Sequence, residues 1–180
     1  MNLSETPEAK QLHVLSARAQ ISEILVRYTQ ALDRRDEQLL NGCFHPDSTH
    51  DHGGFTGRSL DFCKVAMEFV RQLVKTQHHL GSISITVNGL RATAESYFNA
   101  YHRMPATGDM AFPDANPNDD VFIGGRYNDE FECRNGNWLI SHRIGVIEWW
   151  RFESPSDRGN FRNEKSAPLT NTAKALGILN

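Results

Sequence analysis

The sequence predicts one α+β domain, with helices first and antiparallel hairpins after. Three observations carry this. Apolar residues recur at helical steps up to about Lys75. Beyond it the period drops to two. Two Asn-Gly pairs, Asn88-Gly89 and Asn135-Gly136, then sit between alternating runs.

The first helical signal is Val14 to Leu32, where Leu15, Ala17, Ile21, Ile24, Leu25, Tyr28, Ala31 and Leu32 fall at three- and four-residue steps. Asp36 is placed to cap a second, short helix, which His45-Pro46-Asp47 is expected to end. Ser48 to His52 reads as a short strand stopped by Gly53-Gly54. Ser59 or Asp61 can cap a third helix carrying Phe62, Val65, Ala66, Phe69, Val70 and Leu73. Thr76-Gln77-His78-His79-Leu80-Gly81 opens the first long strand. Ser82–Val87 and Arg91–Met104 flank the first hairpin turn, and Val121–Cys133 and Trp138–Trp150 flank the second. Pro105 to Asp119 holds three prolines, two asparagines and three aspartates and reads as a long loop. The polar stretch after Trp150 reads as a tail, with a short helix near 173–179. A sheet curved at Gly81, Gly124, Gly125 and Gly145, with helices over its concave face, would enclose a pocket.

A length of 180 residues with 39% hydrophobic content suits one globular domain. The net charge of -3 and the interspersed signs leave no basic stripe for nucleic acid and no polybasic membrane patch. No apolar run approaches the roughly 18 residues of a membrane span. The N-terminal Met1-Asn2-Leu3-Ser4 does not read as a signal peptide. The three cysteines, Cys43, Cys63 and Cys133, show no CxxC spacing, so neither a disulfide framework nor a zinc knuckle is expected, and a cytoplasmic location is the simplest.

Several side chains suit proton transfer. Asp33 closes the first helix, where it is either solvated beside Arg34 and Arg35 or buried near Tyr28. Of His78 and His79, only one can enter a pocket, because adjacent strand residues face opposite ways. Strict pairing outward from Asn88-Gly89 turns His79 inward; a one-residue bulge near Gly81 would turn His78 inward instead. His102 shares a face with Ala92, Ala94, Ser96, Phe98 and Ala100, so it is expected to point inward, whether as a core histidine or a reacting one. His45, Asp47, His50, Asp51 and His52 suggest a metal site at first sight. However, His50 and His52 share a face without an evident third ligand, and no metal is expected. Arg143, in mid-strand, needs either a buried carboxylate or a substrate anion. Trp138, Trp149 and Trp150 suit core and rim. There is no GxGxxG, P-loop, GxSxG or HExxH.

Five pieces recur in a specific order: Ile24-Leu25-Val26-Arg27-Tyr28 with Ala31-Leu32-Asp33 and Asp36; Thr76-Gln77-His78; Ala94-Glu95-Ser96-Tyr97 with Ala100-Tyr101-His102; Gly125-Arg126-Tyr127 with Phe131; and Trp138, His142-Arg143 and Trp149-Trp150-Arg151. Together they resemble the SnoaL-like branch of the nuclear transport factor 2-like superfamily. The resemblance implies a cone-shaped α+β barrel over residues 17–151, with an N-terminal extension, 1–16, and a tail, 152–180. It implies a cofactor-independent dehydratase of the scytalone dehydratase or bile acid dehydratase type, in which Asp33 holds His78 as base. Tyr28 and His102 would assist, and His52, Phe98, Arg143 and Trp149 would contact a small hydrophobic cyclic substrate, polyketide- or steroid-like. An isomerase or cyclase using the same pair, and a non-catalytic β subunit of an aromatic-ring dioxygenase, are the alternatives. A homo-oligomer, trimer or dimer, is implied.

Overall fold

Helix α1, Pro7–Arg34, starts where local chemistry dictates. The Thr6 hydroxyl accepts the Ala9 N–H at 3.1 Å, and Pro7 takes the first turn, where its missing N–H costs nothing. The helix therefore begins seven residues before Val14. It ends at Arg35, whose left-handed backbone (φ 57°) closes the last turn. The computed structural model describes residues 6–107, 112 and 114–156. The short helix expected near 173–179 lies outside them.

Asp36 caps α2, Glu37–Asn41, by accepting the Leu39 N–H at 2.9 Å. Strand β1, Phe44–His52, follows at once, so His45-Pro46 lies inside a strand rather than ending a helix. The sheet tolerates Pro46 because the β1–β6 pairing shifts register between Phe44 and Thr49. Gly53 and Gly54, both at positive φ, turn the chain into a short strand, β2, Phe55–Arg58, that the alternation pattern did not reveal. Helix α3 spans Ser59–Gln72. The long strands are β3, Lys75–Asn88; β4, Arg91–Arg103; β5, Asp120–Arg134; and β6, Asn137–Glu153.

The six strands form one curved, unclosed sheet in the order β2-β1-β6-β5-β4-β3, antiparallel except for the parallel pair β1–β6. Asn135 and Gly136 both have positive φ, as a two-residue type I′ turn requires. The first hairpin turns one residue later than expected: Asn88 pairs with Arg91, leaving Gly89 and Leu90 in the turn. Only Gly89 has positive φ there, so the type I′ pair read from Asn88-Gly89 does not form.

The inner face of β4 carries Ala92, Ala94, Ser96, Phe98, Ala100 and His102, all buried. Its apolar members share one buried core with Ile21, Ile24, Leu25, Tyr28 and Leu32 of α1 and Phe62, Ala66, Met67 and Val70 of α3. The helices cover one end of the concavity and leave a cavity between α3 and the sheet.

Candidate active site

One irregularity sets the chemistry of β3. Its pairing with β4 shifts between Leu80 and Ile83, so Gly81 and Ser82 together oppose Tyr97. If the same residues paired without this bulge, His79 would stand opposite Ala100. With it His78 does, and its side chain turns into the cavity while His79 is exposed.

Asp33 leaves the end of α1 and meets His78 at two points. Its Oδ2 accepts the His78 backbone N–H at 2.9 Å, and its Oδ1 lies 2.7 Å from the ring Nδ1. The carboxylate accepts only, so Nδ1 carries a proton, and the neutral form of the ring has its lone pair on Nε2. The backbone contact engages the second carboxylate oxygen, so both oxygens of Asp33 are held by the same residue. Asp33 is thus half-buried and paired with His78, not with Arg34.

The cavity is about 340 Å³, at the low end of the roughly 300–1,000 Å³ typical of small-molecule sites. Tyr28, Leu32, His52, Phe62, Phe69, His78, Phe98, His102, Ile123 and Tyr127 line it, with Phe112 and Ile147 among others. Its polar lining is three histidines and two tyrosines. Among the described residues no Lys, Arg, Asp or Glu side chain lines it. His102 contacts His78 edge-on at 5.3 Å between ring centroids, and its Nδ1 lies 3.1 Å from the Thr76 hydroxyl. Phe98 stacks on Tyr127 at 4.4 Å. That stack needs Gly125, where a Cβ would come within 2.9 Å of the Phe98 ring. Tyr127 was not singled out from sequence; its place two residues after Gly125, on the same face of β5, was the available signal.

His52 reaches the cavity because its strand neighbour Gly145 has no side chain: a Cβ there would collide with the imidazole. His52 and the buried His50 lie nearly parallel, 5.8 Å apart, and both stack on Phe62. Of the remaining ligand-type residues nearby, Asp51 is exposed and the others are engaged elsewhere. His45 bonds the Glu132 carbonyl at 2.9 Å, and Asp47 pairs with Arg134. Among the described residues, no group of three His, Cys, Asp or Glu side chains converges as metal ligands would.

Two residues expected at the substrate lie elsewhere. Arg143 is fully buried, and its guanidinium donates two bonds to Asp129, at 2.6 and 2.7 Å. It lies between the rings of Tyr28 and Tyr127, 4.0 and 4.3 Å from their centroids. It is therefore a structural cation behind the cavity wall, the ion-pair alternative left open by the sequence. Burial works against its charge, but Asp129 outweighs that and holds its pKa above the ordinary value. Trp149 is 47% exposed and lies across Gly124, whose side-chain direction is the sheet's outer face. The extra residue Glu148, opposite the step from Gly124 to Gly125, is part of the local irregularity.

The buried imidazoles are held neutral. Burial first, and the Arg143 charge next, push His50 down to about 2 and His52 to about 4. Burial and then nearby His78 push His102 down to about 3. The unfolded chain protonates these rings below about pH 6.5, whereas the folded protein does not until those lower values. Stability present above pH 6.5 is therefore lost as the pH falls, at about 1.4 kcal/mol per pH unit for each ring. Urea midpoints measured between about pH 7 and pH 4 should fall steeply, and His50→Leu should flatten that slope. An unchanged slope in the variant would refute the assignment.

Burial also pushes Tyr28 up to about 12 against the opposing pull of Arg143, so its hydroxyl keeps its proton.

The SnoaL-like domain model matches residues 13–144. The chain belongs to the SnoaL-like family. Rv2910c of Mycobacterium tuberculosis strain H37Rv, an uncharacterized protein, is 29% identical over 133 residues, which cover 72% of this chain and 84% of that protein. Among solved structures, the LinA-type3 hexachlorocyclohexane dehydrochlorinase of Novosphingobium barchaimii LL02 superposes with TM-score 0.70 at 16% identity, covering 83% of this chain and 99% of that one. A scytalone dehydratase-like protein of Novosphingobium aromaticivorans gives TM-score 0.63 at 22% identity, covering 81% and 97%. At these identities the structural likeness establishes the fold: the curved mixed sheet and helices of the nuclear transport factor 2-like cone. No helix among the described residues is long and apolar enough to cross a membrane.

Proposed function

We propose that this SnoaL-like protein is a cofactor-independent lyase of the dehydratase type, acting on a small, hydrophobic, cyclic substrate. The observation that carries the reading is the two-point hold of Asp33 on His78 at the wall of an apolar cavity. His78 Nε2 takes a proton from the carbon next to a carbonyl or an aromatic ring. Asp33 stabilises the imidazolium that forms. The C–H electrons become the new double bond as the C–O bond breaks, and the His78 proton passes to the departing hydroxyl, which leaves as water. His102 and Tyr28, both neutral and both lining the cavity, can hydrogen-bond the carbonyl or the leaving oxygen. His52 and Phe98 orient the ring from the other walls. A cavity with no cationic side chain among the described lining residues favours a neutral substrate. The dehydrochlorinase and dehydratase names of the two structural neighbours agree with an elimination.

An isomerase is the second reading, favoured by the neighbouring His102, because the same proton can return to another carbon. One experiment separates them. Hydroxylated cyclic ketones are incubated with the protein and followed by mass spectrometry. Elimination loses water, while isomerisation conserves mass and moves the double bond. The activity should survive exhaustive chelation, since the proton steps described need no Lewis acid. Loss of activity on chelation and its return with a transition metal would overturn the scheme. A homo-oligomer, dimer or trimer, goes with this reading, supported by Tyr97, Ile144 and Trp149 standing 40–47% exposed on the outer face of the sheet.

A further inference from the structure

We propose that Thr76 is a positioning residue that holds His102 with its single proton on Nε2, giving the cavity a hydrogen-bond donor beside the acceptor offered by His78. The significance of this for turnover rests on the elimination reading above; the assignment of the proton does not.

The argument begins with register. Thr76, His78 and Leu80 alternate onto one face of β3, so the bulge at Gly81-Ser82 that turns His78 inward also turns Thr76 inward. Thr76 then stands directly opposite His102 on β4, and its hydroxyl lies 3.1 Å from His102 Nδ1. Threonine is stiff at χ1, so the contact is pre-set rather than searched for.

The direction of the bond follows from what each group can give. The hydroxyl has one proton and two acceptor sites, and leaving a donor unpaired away from water costs more than leaving a lone pair. Among the described residues, His102 Nδ1 is the only side-chain partner of Thr76 that the structure records. Thr76 therefore donates, Nδ1 accepts, and the ring proton must sit on Nε2, the nitrogen left for the cavity. Because His102 is 3% exposed and neutral, it has one ring proton, and the location of that proton decides whether it donates or accepts.

Asp33 imposes the opposite choice on His78. A carboxylate can only accept, so His78 keeps its proton on Nδ1 and a lone pair on Nε2. The two imidazoles, 5.3 Å apart, thus present different faces: a base and a donor. Neither can take the other's role while its hydrogen-bond partner holds.

The test reads the ring nitrogens directly. Long-range proton–nitrogen correlation spectra are recorded at neutral pH on ¹⁵N-histidine-labelled wild type, Thr76→Val and Thr76→Ser. In wild type and Thr76→Ser, His102 should show a bare Nδ1 and a protonated Nε2. In Thr76→Val, which keeps the side-chain shape but loses the hydroxyl, the His102 signals should move toward the other tautomer. The His78 signals should stay the same in all three. On a ring ketone that the protein turns over, Thr76→Val should lower kcat on the order of tenfold with KM little changed, and Thr76→Ser should restore it. A protonated Nδ1 on wild-type His102, or unmoved His102 signals in folded Thr76→Val, would overturn the inference. Silence of every ketone tried counts against the elimination reading and leaves the nitrogen signals to decide this one.

Discussion

Replacing Asp33 with Asn should lower turnover by roughly 10⁴-fold while the protein stays folded, by analogy with the serine-protease triad, where the same change costs that much. The amide keeps the size of the carboxylate, and its oxygen can still accept the His78 backbone N–H. Its NH₂ group, however, would then face the ring Nδ1, which would have to accept instead of donate. The imidazole proton would move to Nε2, where the base needs a lone pair. The charge that stabilises the imidazolium would vanish at the same time. His78→Ala removes the base itself, yet leaves its backbone N–H to anchor Asp33. The two losses should not add, and the double variant should resemble either single one, because the pair acts as one unit. Steady-state kinetics on the true substrate, with circular dichroism to confirm folding, checks this. Wild-type turnover in folded Asp33→Asn would end the proposed mechanism.

The second large effect concerns stability. Arg143→Met should destabilise the protein by about 3–5 kcal/mol, the usual cost of stranding one member of a buried ion pair. Arg143 and Asp129 are both fully buried, and their bidentate contact is the geometry of a charged pair. Burial pushes the Asp129 carboxyl up, and Arg143 pulls it back. Without the arginine, that carboxyl would protonate or draw in water, and Tyr28 and Tyr127 would lose the cation between them. Asp129→Leu combined with Arg143→Met should recover most of the loss, since replacing the whole pair by apolar groups is often neutral. Urea denaturation of the wild type and the two variants reads the comparison. A double variant as weak as Arg143→Met would mean that the cation, not the pairing, supports the tyrosines.

How much of this was legible in the sequence depends on the reach of each signal. The amphipathic face of α1, the cap at Asp36, the turn at Asn135-Gly136 and the inward row Ala92 to His102 are local patterns, and the structure follows them. The four-residue strand β2 is too short to show alternation, and the strand character of His45-Pro46 depends on a parallel partner nearly a hundred residues away. Arg143 illustrates the limit at the site. Its mid-strand position announced a buried partner, but whether that was protein or substrate depended on Asp129 in the neighbouring strand. Trp149 was placed at the substrate on its apolar character, and the extra residue at Glu148 sends it across Gly124 on the outer face instead. His78 was legible as a candidate, but its choice over His79 rested on the bulge, which a backbone pairing sets and a sequence pattern does not.

That bulge makes the first hairpin a parity device. Between the turn at Gly89-Leu90 and the paired histidines, β3 spends one residue more than β4. The identity of the inward histidine is then a matter of odd or even count. With the bulge kept, a single insertion along that stretch would bring His79 opposite Ala100 in place of His78 and turn Thr76 outward, whereas deletion of one of the bulged residues, Gly81 or Ser82, would restore regular pairing and leave His78 where it is. Among descendants of this sequence, β3 should therefore tolerate loss of the bulged residue and resist gain of another, since a lineage that gained one residue here would present His79 where His78 now stands without mutating either.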